Sequence, residues 1–303
     1  MTGSHEDEEL ARTAVTALTE QLALTSKPGL PDPSHPDHHT LRWSAKALAP
    51  GLAAIAAAAR RTGEPTPALR AELGAIARGT EHSVCLAGGG HRGALWTLGL
   101  LVAAAAMTPA DVLPTAKRLA ALPDRGAPRR PSRGSTMSAK YGAQGARGEA
   151  RAGFPHIRRA LPLLTESPAS RRNALLTIMS TLRDTELLYT AGPHGLHHVQ
   201  ARAADILSTG GTDTLAGARA LSALNTDLHE RGWTPRGSAT LLTGALFVAS
   251  LRRETPVAAG SRAAGAPPYP RSSGRPRRQT HIAAGSRAAG AARVGAAAPG
   301  QRR

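Results

Sequence analysis

Residues 94–107, Ala-Leu-Trp-Thr-Leu-Gly-Leu-Leu-Val-Ala-Ala-Ala-Ala-Met, are apolar on every side of a helical wheel. Such a helix has no face to offer water, so it must lie enclosed by others. It is also shorter than the roughly 20 residues that span a bilayer, which excludes a membrane helix. What encloses it is constrained by composition. Aromatic residues make up only 3% of the chain, leaving Ala, Leu, Val and Ile to build the core. Alanine is the best helix former, and small side chains let helix backbones approach closely. Runs rich in Val, Ile, Thr and aromatics, the mark of strands, are scarce. The expected fold is all-α, a single multi-helix bundle-like domain.

The periodicity supplies the surrounding helices. Leu10, Ala14, Ala17, Leu18 and Leu22 share one helical face within residues 8–25. Pro31, Pro33 and Pro36 make residues 32–40 irregular, since each removes a donor and restricts the residue before it. Residues 41–61 read as one long Ala-rich helix closed by Gly63 and Pro65, and 67–78 as another. Further helices are expected at 110–122, at 160–164 and at 171–188, where Leu175, Ile178, Met179 and Leu182 form a stripe. The last are 195–208, 215–229 and 238–251, while 123–138, rich in Arg, Pro, Gly and Ser, reads as an exposed loop.

Beyond Pro256 the chain changes character. Gly260-Ser-Arg-Ala-Ala-Gly-Ala266 recurs as Gly285-Ser-Arg-Ala-Ala-Gly-Ala291 amid Pro, Arg and Gly, without the apolar side chains needed to offset ordering entropy. A helical domain over residues 1–255 with a disordered basic tail over 256–303 is expected. Of the net charge of +17, ten units lie in residues 114–172 and nine in 256–303, so the remainder is slightly acidic. Basicity confined to one segment and a tail is not the footprint of a specific nucleic-acid binder. Cys85 is the only cysteine, which rules out an intrachain disulfide and suits a small buried apolar residue. The acidic start, His5-Glu-Asp-Glu-Glu9, is unlike a signal peptide, and a soluble cytoplasmic protein is expected.

One segment resists a purely structural reading. Tyr141-Gly-Ala-Gln-Gly-Ala-Arg-Gly-Glu-Ala-Arg-Ala-Gly-Phe-Pro155 combines glycines, each costing a helix interior roughly 1 kcal/mol, with Arg147 and Glu149. It reads as a tight loop. A guanidinium offers a planar fork to phosphate oxygens, and a carboxylate two residues on could hold a metal or accept a proton. The plain alternative is a glycine-rich surface loop with two solvated charges.

Other segments accompany it in a fixed order. Upstream are Thr25-Ser-Lys-Pro-Gly-Leu-Pro-Asp32, Ser34-His-Pro-Asp-His38 and His91-Arg-Gly-Ala-Leu-Trp-Thr-Leu-Gly-Leu-Leu101. Downstream are Asp184-Thr185, Gly192-Pro-His-Gly-Leu196 and Thr234-Pro-Arg-Gly-Ser-Ala239. The ordered set, from about Leu22 to Leu251, resembles the triphosphoribosyl-dephospho-CoA synthase family, which supplies the prosthetic-group precursor of malonate decarboxylase and citrate lyase. The resemblance implies transfer of the triphosphoribosyl group of ATP to the 2′-hydroxyl of 3′-dephospho-CoA, with release of adenine. Its product would pass to a transferase that loads an acyl carrier protein, and Trp96 looks more like the malonate decarboxylase branch.

Cleaving an N-glycosidic bond builds positive charge on the sugar, which carboxylates stabilise. Glu149, Asp37 and Asp184 are the candidates. The acceptor hydroxyl needs a base, a carboxylate or His35. The triphosphate calls for Mg²⁺, with Asp37, Glu149 and Asp184 as candidate ligands, and for cations from Lys27, Arg92 and Arg147. His91, Arg92 and Gly93 match the family's His-Lys/Arg-Gly and stand where a helix N-terminus would favour a phosphate. The histidines around His35 do not make a zinc site, because one cluster supplies no second half.

This chain departs from the family pattern at Gly89 and Gly90, which replace Asn-Thr, at Thr190, and at Arg236 and Thr240 in the last motif. The rival readings are a catalytically impaired relative and a basic nucleic-acid-binding protein.

Overall fold

The enclosed helix is present as α5 (Arg92–Met107), in which twelve residues are buried. The computed structural model describes residues 2–128 and 130–254. Around α5 pack α1 (Thr2–Ala23), α3 (Ala49–Thr62), α4 (Pro67–Leu86), α6 (Val112–Ala121) and α13 (Arg236–Glu254). Small residues set the spacing: a Cβ placed on Gly99 would lie 3.2 Å from Ile55, and one on Gly244 would lie 3.1 Å from Leu101. The core is Leu, Ala, Ile and Val with Phe154 and Phe247, and no strand occurs among the described residues. The fold is all-α. The expected disordered tail, 256–303, lies outside the described residues.

The second half adds α7 (Arg133–Tyr141), α8 (Gly145–Arg151), α9 (Pro155–Ala160), α10 (Pro168–Met179), α11 (Thr185–Ser208) and α12 (Leu215–Glu230). A 3-10 turn, Leu161–Leu163, follows α9 where a helix over 160–164 was expected.

Several helix boundaries differ from those expected. The helix expected over 41–61 is two, α2 (His38–Lys46) and α3, joined through i→i+3 bonds at Ala47 and Leu48. Pro50 explains the break: it lacks an N–H and its ring excludes the Lys46 carbonyl. In the same way 171–188 divides into α10 and α11, because the Asp184 side chain accepts hydrogen bonds from Glu186 and Leu187 and starts a new helix.

The expected loop 123–138 contains the start of α7, nucleated by a capping box in which Ser132 and Ser135 serve each other's backbone N–H. In α11 the backbone leaves the helix at Gly192 (φ 65°) before Pro193, so the expected 195–208 helix begins two residues earlier and abuts the segment from Thr185. Helix α4 runs past residue 78 to Leu86, and it carries Cys85 exposed rather than buried. No helix among the described residues is long and apolar enough to cross a membrane.

Candidate active site

Asp184 ties together the N-termini of α11 and α13. Its Oδ1 accepts from the backbone N–H of Glu186 (3.0 Å) and Leu187 (3.3 Å), capping α11. Its Oδ2 reaches across to the first turn of α13, accepting from Ser238 N (2.8 Å) and Ser238 Oγ (3.1 Å). Gly237 leaves room for this, since a Cβ there would sit 2.9 Å from the carboxylate. Burial pushes the Asp184 carboxyl above the ordinary carboxylate range, and these four hydrogen bonds oppose the shift.

Thr185, the first residue of α11, gathers two more helix starts. A Cβ on Gly134 of α7 would lie 3.5 Å from Thr185 Oγ1, and one on Gly145 of α8 would lie 3.1 Å from Thr185 Cγ2. Gly145 has φ +56°, a conformation that an L side chain rarely adopts. Helix α5 joins them because a Cβ on Gly93 would meet Thr240 Oγ1 at 2.9 Å. Glycines at the second positions of α5, α7 and α13 thus let four helix starts of nine residues or more, α11 included, approach one another. Free N–H groups and aligned peptide dipoles at such starts favour a bound anion.

The Gly-rich segment is not the expected loop. It forms α8 and α9, and Glu149 is 9% exposed within α8. Gly142 and Gly145, both at positive φ, bracket the short link between α7 and α8, so these two act at helix ends, whereas Gly148 lies inside α8. The Glu149 Oε1 accepts from His156 Nδ1 at 2.7 Å, and Oε2 accepts from His156 N at 3.4 Å. His156 Nε2 is buried and has no partner, as is Thr97 Oγ1 on α5. A Cβ on Gly244 would touch both Thr97 (3.3 Å) and Ile157 (2.7 Å), which puts the two unpartnered groups on neighbouring elements.

His91 caps no N–H with its side chain. Its Nε2 donates to Leu41 O (2.9 Å) with Ser44 Oγ at 3.0 Å, tying α2 to the start of α5, and burial holds its pKa below the usual histidine value. Arg92 is exposed and pairs with Glu81 at 3.4 Å. Asp37 and His35 stand at the start of α2, one turn before Leu41, with the Asp37 side chain 76% exposed. Lys27 points elsewhere: the residue is 1% exposed, and its ammonium donates to the α1 carbonyls of Gln21 (2.9 Å) and Leu22 (2.8 Å). Burial lowers it to about 8, with Asp32 opposing. Arg147 is exposed on α8.

The structure thus gathers Asp184 and Gly93 with the helix starts. It places Glu149 one turn into α8, and it does not draw Asp37, Glu149 and Asp184 into one cluster. Among the described residues no three His, Cys, Asp or Glu side chains converge on a metal position. His156 and Ser238 were not anticipated. The only sequence signal for His156 was its place directly after Pro155, a proline suited to the first turn of a helix.

The sequence profile of the ATP:dephospho-CoA triphosphoribosyl transferase family matches residues 7–258. A Pseudomonas fluorescens protein is 40% identical over 82% of this chain and 93% of its own length. An Azotobacter vinelandii protein is 41% identical over 80% and 90%, and a Pseudomonas putida protein is 41% identical over 80% and 94%. All three bear the name "Probable 2-(5''-triphosphoribosyl)-3'-dephosphocoenzyme-A synthase". No solved structure matches the chain. With a profile that covers nearly all of the helical domain and relatives matched over most of their length, the chain belongs to the ATP:dephospho-CoA triphosphoribosyl transferase family.

Proposed function

We propose that this protein transfers the 5-triphosphoribosyl group of ATP to the 2′-hydroxyl of 3′-dephospho-CoA and releases adenine. The observation that carries the reading is the approach of four helix starts at Asp184, Thr185 and Thr240, together with the unpartnered imidazole of His156 on α9, which packs against α13. The helix starts suit the triphosphate, which remains on the sugar throughout. In the transfer the hydroxyl oxygen bonds to the ribose C1, the C1–N9 bond breaks with its electron pair passing to adenine, and the proton taken from the hydroxyl balances the one that the departing adenine gains.

With His156 Nδ1–H donating to Glu149, Nε2 presents a lone pair, and a hydroxyl is the donor that would complete it. Glu149 then fixes the imidazole and stabilises the positive charge it gains. Asp184, with four donors on its two oxygens, acts by holding helix starts in place rather than as the base. Arg92 and Arg147 are both exposed; Arg92, at the first position of α5, is the one available to phosphate oxygens at the helix starts, and Arg236 stands at the first position of α13. Lys27 serves the α1 end.

Magnesium enters as part of the nucleotide substrate. It needs only one or two carboxylates beside phosphates and waters, so it does not call for a three-ligand cluster, of which there is none among the described residues. Asp37, whose carboxylate accepts no hydrogen bond among the described residues, has open oxygens for it, whereas those of Glu149 and Asp184 are engaged. Bound magnesium would offset phosphate charge. The product would serve a transferase that loads an acyl carrier protein, in the malonate decarboxylase pathway to judge from Trp96. The free, exposed Cys85 suits a reducing compartment, the cytoplasm.

The test is adenine release from MgATP by the purified chain. Release that requires 3′-dephospho-CoA is expected, and none from folded protein would overturn the reading in favour of an inactive relative.

A further inference from the structure

On the α4 side of the domain, two arginines face one carboxylate. Arg70 and Arg78 lie on α4, and both turn to Asp124 in the turn after α6: Arg78 Nη1 is 2.8 Å and Arg70 Nη1 3.7 Å from Asp124 Oδ2. Asp124 Oδ1 accepts from Gly126 N at 3.0 Å. The cluster is sheltered, with side-chain exposures of 11% for Arg70 and 12% for Asp124. Gly74 makes it possible, since a Cβ there would stand 2.3 Å from Asp124 Oδ2.

The charges do not balance. Asp124 has one negative charge for two guanidiniums, and Arg147 on α8 brings a third without an ion pair among the described residues. The other acids on α4 are committed, Glu72 to Arg61 at 2.6 Å and Glu81 to Arg92 at 3.4 Å. Arg70 Nε is buried with no hydrogen-bond partner. Burial foremost, then the proximity of Arg147 and Arg78, lowers the Arg70 pKa against the opposing pull of Asp124. A sheltered cation with an unmet donor and two like charges beside it is costly unless an anion completes it.

We infer that Arg70, Arg78 and Arg147 form a binding site for a polyphosphate group, separate from the helix starts. Guanidinium forks match phosphate oxygens bidentately, and Arg70 and Arg78 on an acid already satisfied by Arg78 and Gly126, with Arg147 acting on Arg70, leave donors for two linked phosphates. Two substrate sources fit this chemistry, the diphosphate of 3′-dephospho-CoA and the triphosphate of ATP. That choice rests on the proposed reaction; the anion site does not.

Inorganic diphosphate is the first probe, with melting temperature as the readout. At a tenfold excess over its Kd, it should raise the parent Tm by about 3–6 °C. Arg70→Met, in which Arg78 still holds Asp124, and the exposed Arg147→Gln should lose most of that shift. Arg70→Lys, which keeps charge without the fork, should retain part of it. Steady-state kinetics then name the source: a KM rise of about 10- to 100-fold in Arg70→Met for 3′-dephospho-CoA alone assigns its diphosphate, and for ATP alone the triphosphate. Undiminished diphosphate stabilisation in both Arg70→Met and Arg147→Gln overturns the site. If Arg70→Met fails to fold, Arg147→Gln decides. If the parent lacks turnover, the reaction is wrong, and the diphosphate shift still decides the site.

Discussion

Glu149 and Lys27 show how burial changes what a charged residue does. Glu149 was legible as important from the glycines and Arg147 around it, but its partner His156, seven residues on, becomes a neighbour only because α8 and α9 turn on Gly153 and Phe154, both at positive φ. Glu149→Gln keeps the shape and removes the charge. Adenine release should fall about 10²- to 10³-fold. Because the residue is buried in a helix rather than placed in a loop, Tm should also drop, by about 2–4 °C for about 1 kcal/mol lost. Near-parental turnover would remove Glu149 from the mechanism.

Lys27 gives a pH test. Its folded pKa, about 8, is below the unfolded 10.5, so between these values the unfolded chain binds more protons and stability rises with pH. The neutral amine still has two N–H groups for the Gln21 and Leu22 carbonyls. Relative to Lys27→Met, the parent should gain up to about 3 kcal/mol in urea unfolding from pH 8 to 10.5. A constant difference would show that the ammonium is not desolvated.

At the scale of elements, periodicity located most helices and misplaced their breaks. The apolar stripe through Leu182 extends past Met179, so 171–188 reads as continuous; the N-cap of Asp184 wins because it satisfies donors of two helices at once. Sequence places Asp184 beside Thr185 and Glu186, and only tertiary contact brings it Ser238, 54 residues away. Asp184→Asn measures that contact. An amide has one acceptor oxygen, so donors at α11 or α13 would be left unmet, at about 1–3 kcal/mol each. Its Tm should fall by about 2–12 °C. Turnover per folded molecule should fall less than in Glu149→Gln. The reverse order would make Asp184 the reacting carboxylate.

Across the molecule, the buried core runs from Ala11 to Val248, so the helical domain should close without the last 48 residues. A chain ending at residue 255 should keep its helical circular dichroism spectrum, its Tm and its adenine release. A fall in Tm beyond about 4 °C would mean that the tail packs on the domain. The sequence by itself determined the fold class, because an all-apolar segment too short for a membrane and nearly free of aromatic neighbours leaves few arrangements besides close-packed helices. It also determined the family, through motifs kept in order. Which motif residues meet was decided only by the tertiary structure. Periodicity records which face of a helix is buried, whereas the pairing of Glu149 with His156, of Asp184 with Ser238 and of Arg70 with Asp124 depends on how helices distant in sequence cross. That crossing is set by glycines, whose missing side chains are visible in the sequence only as gaps.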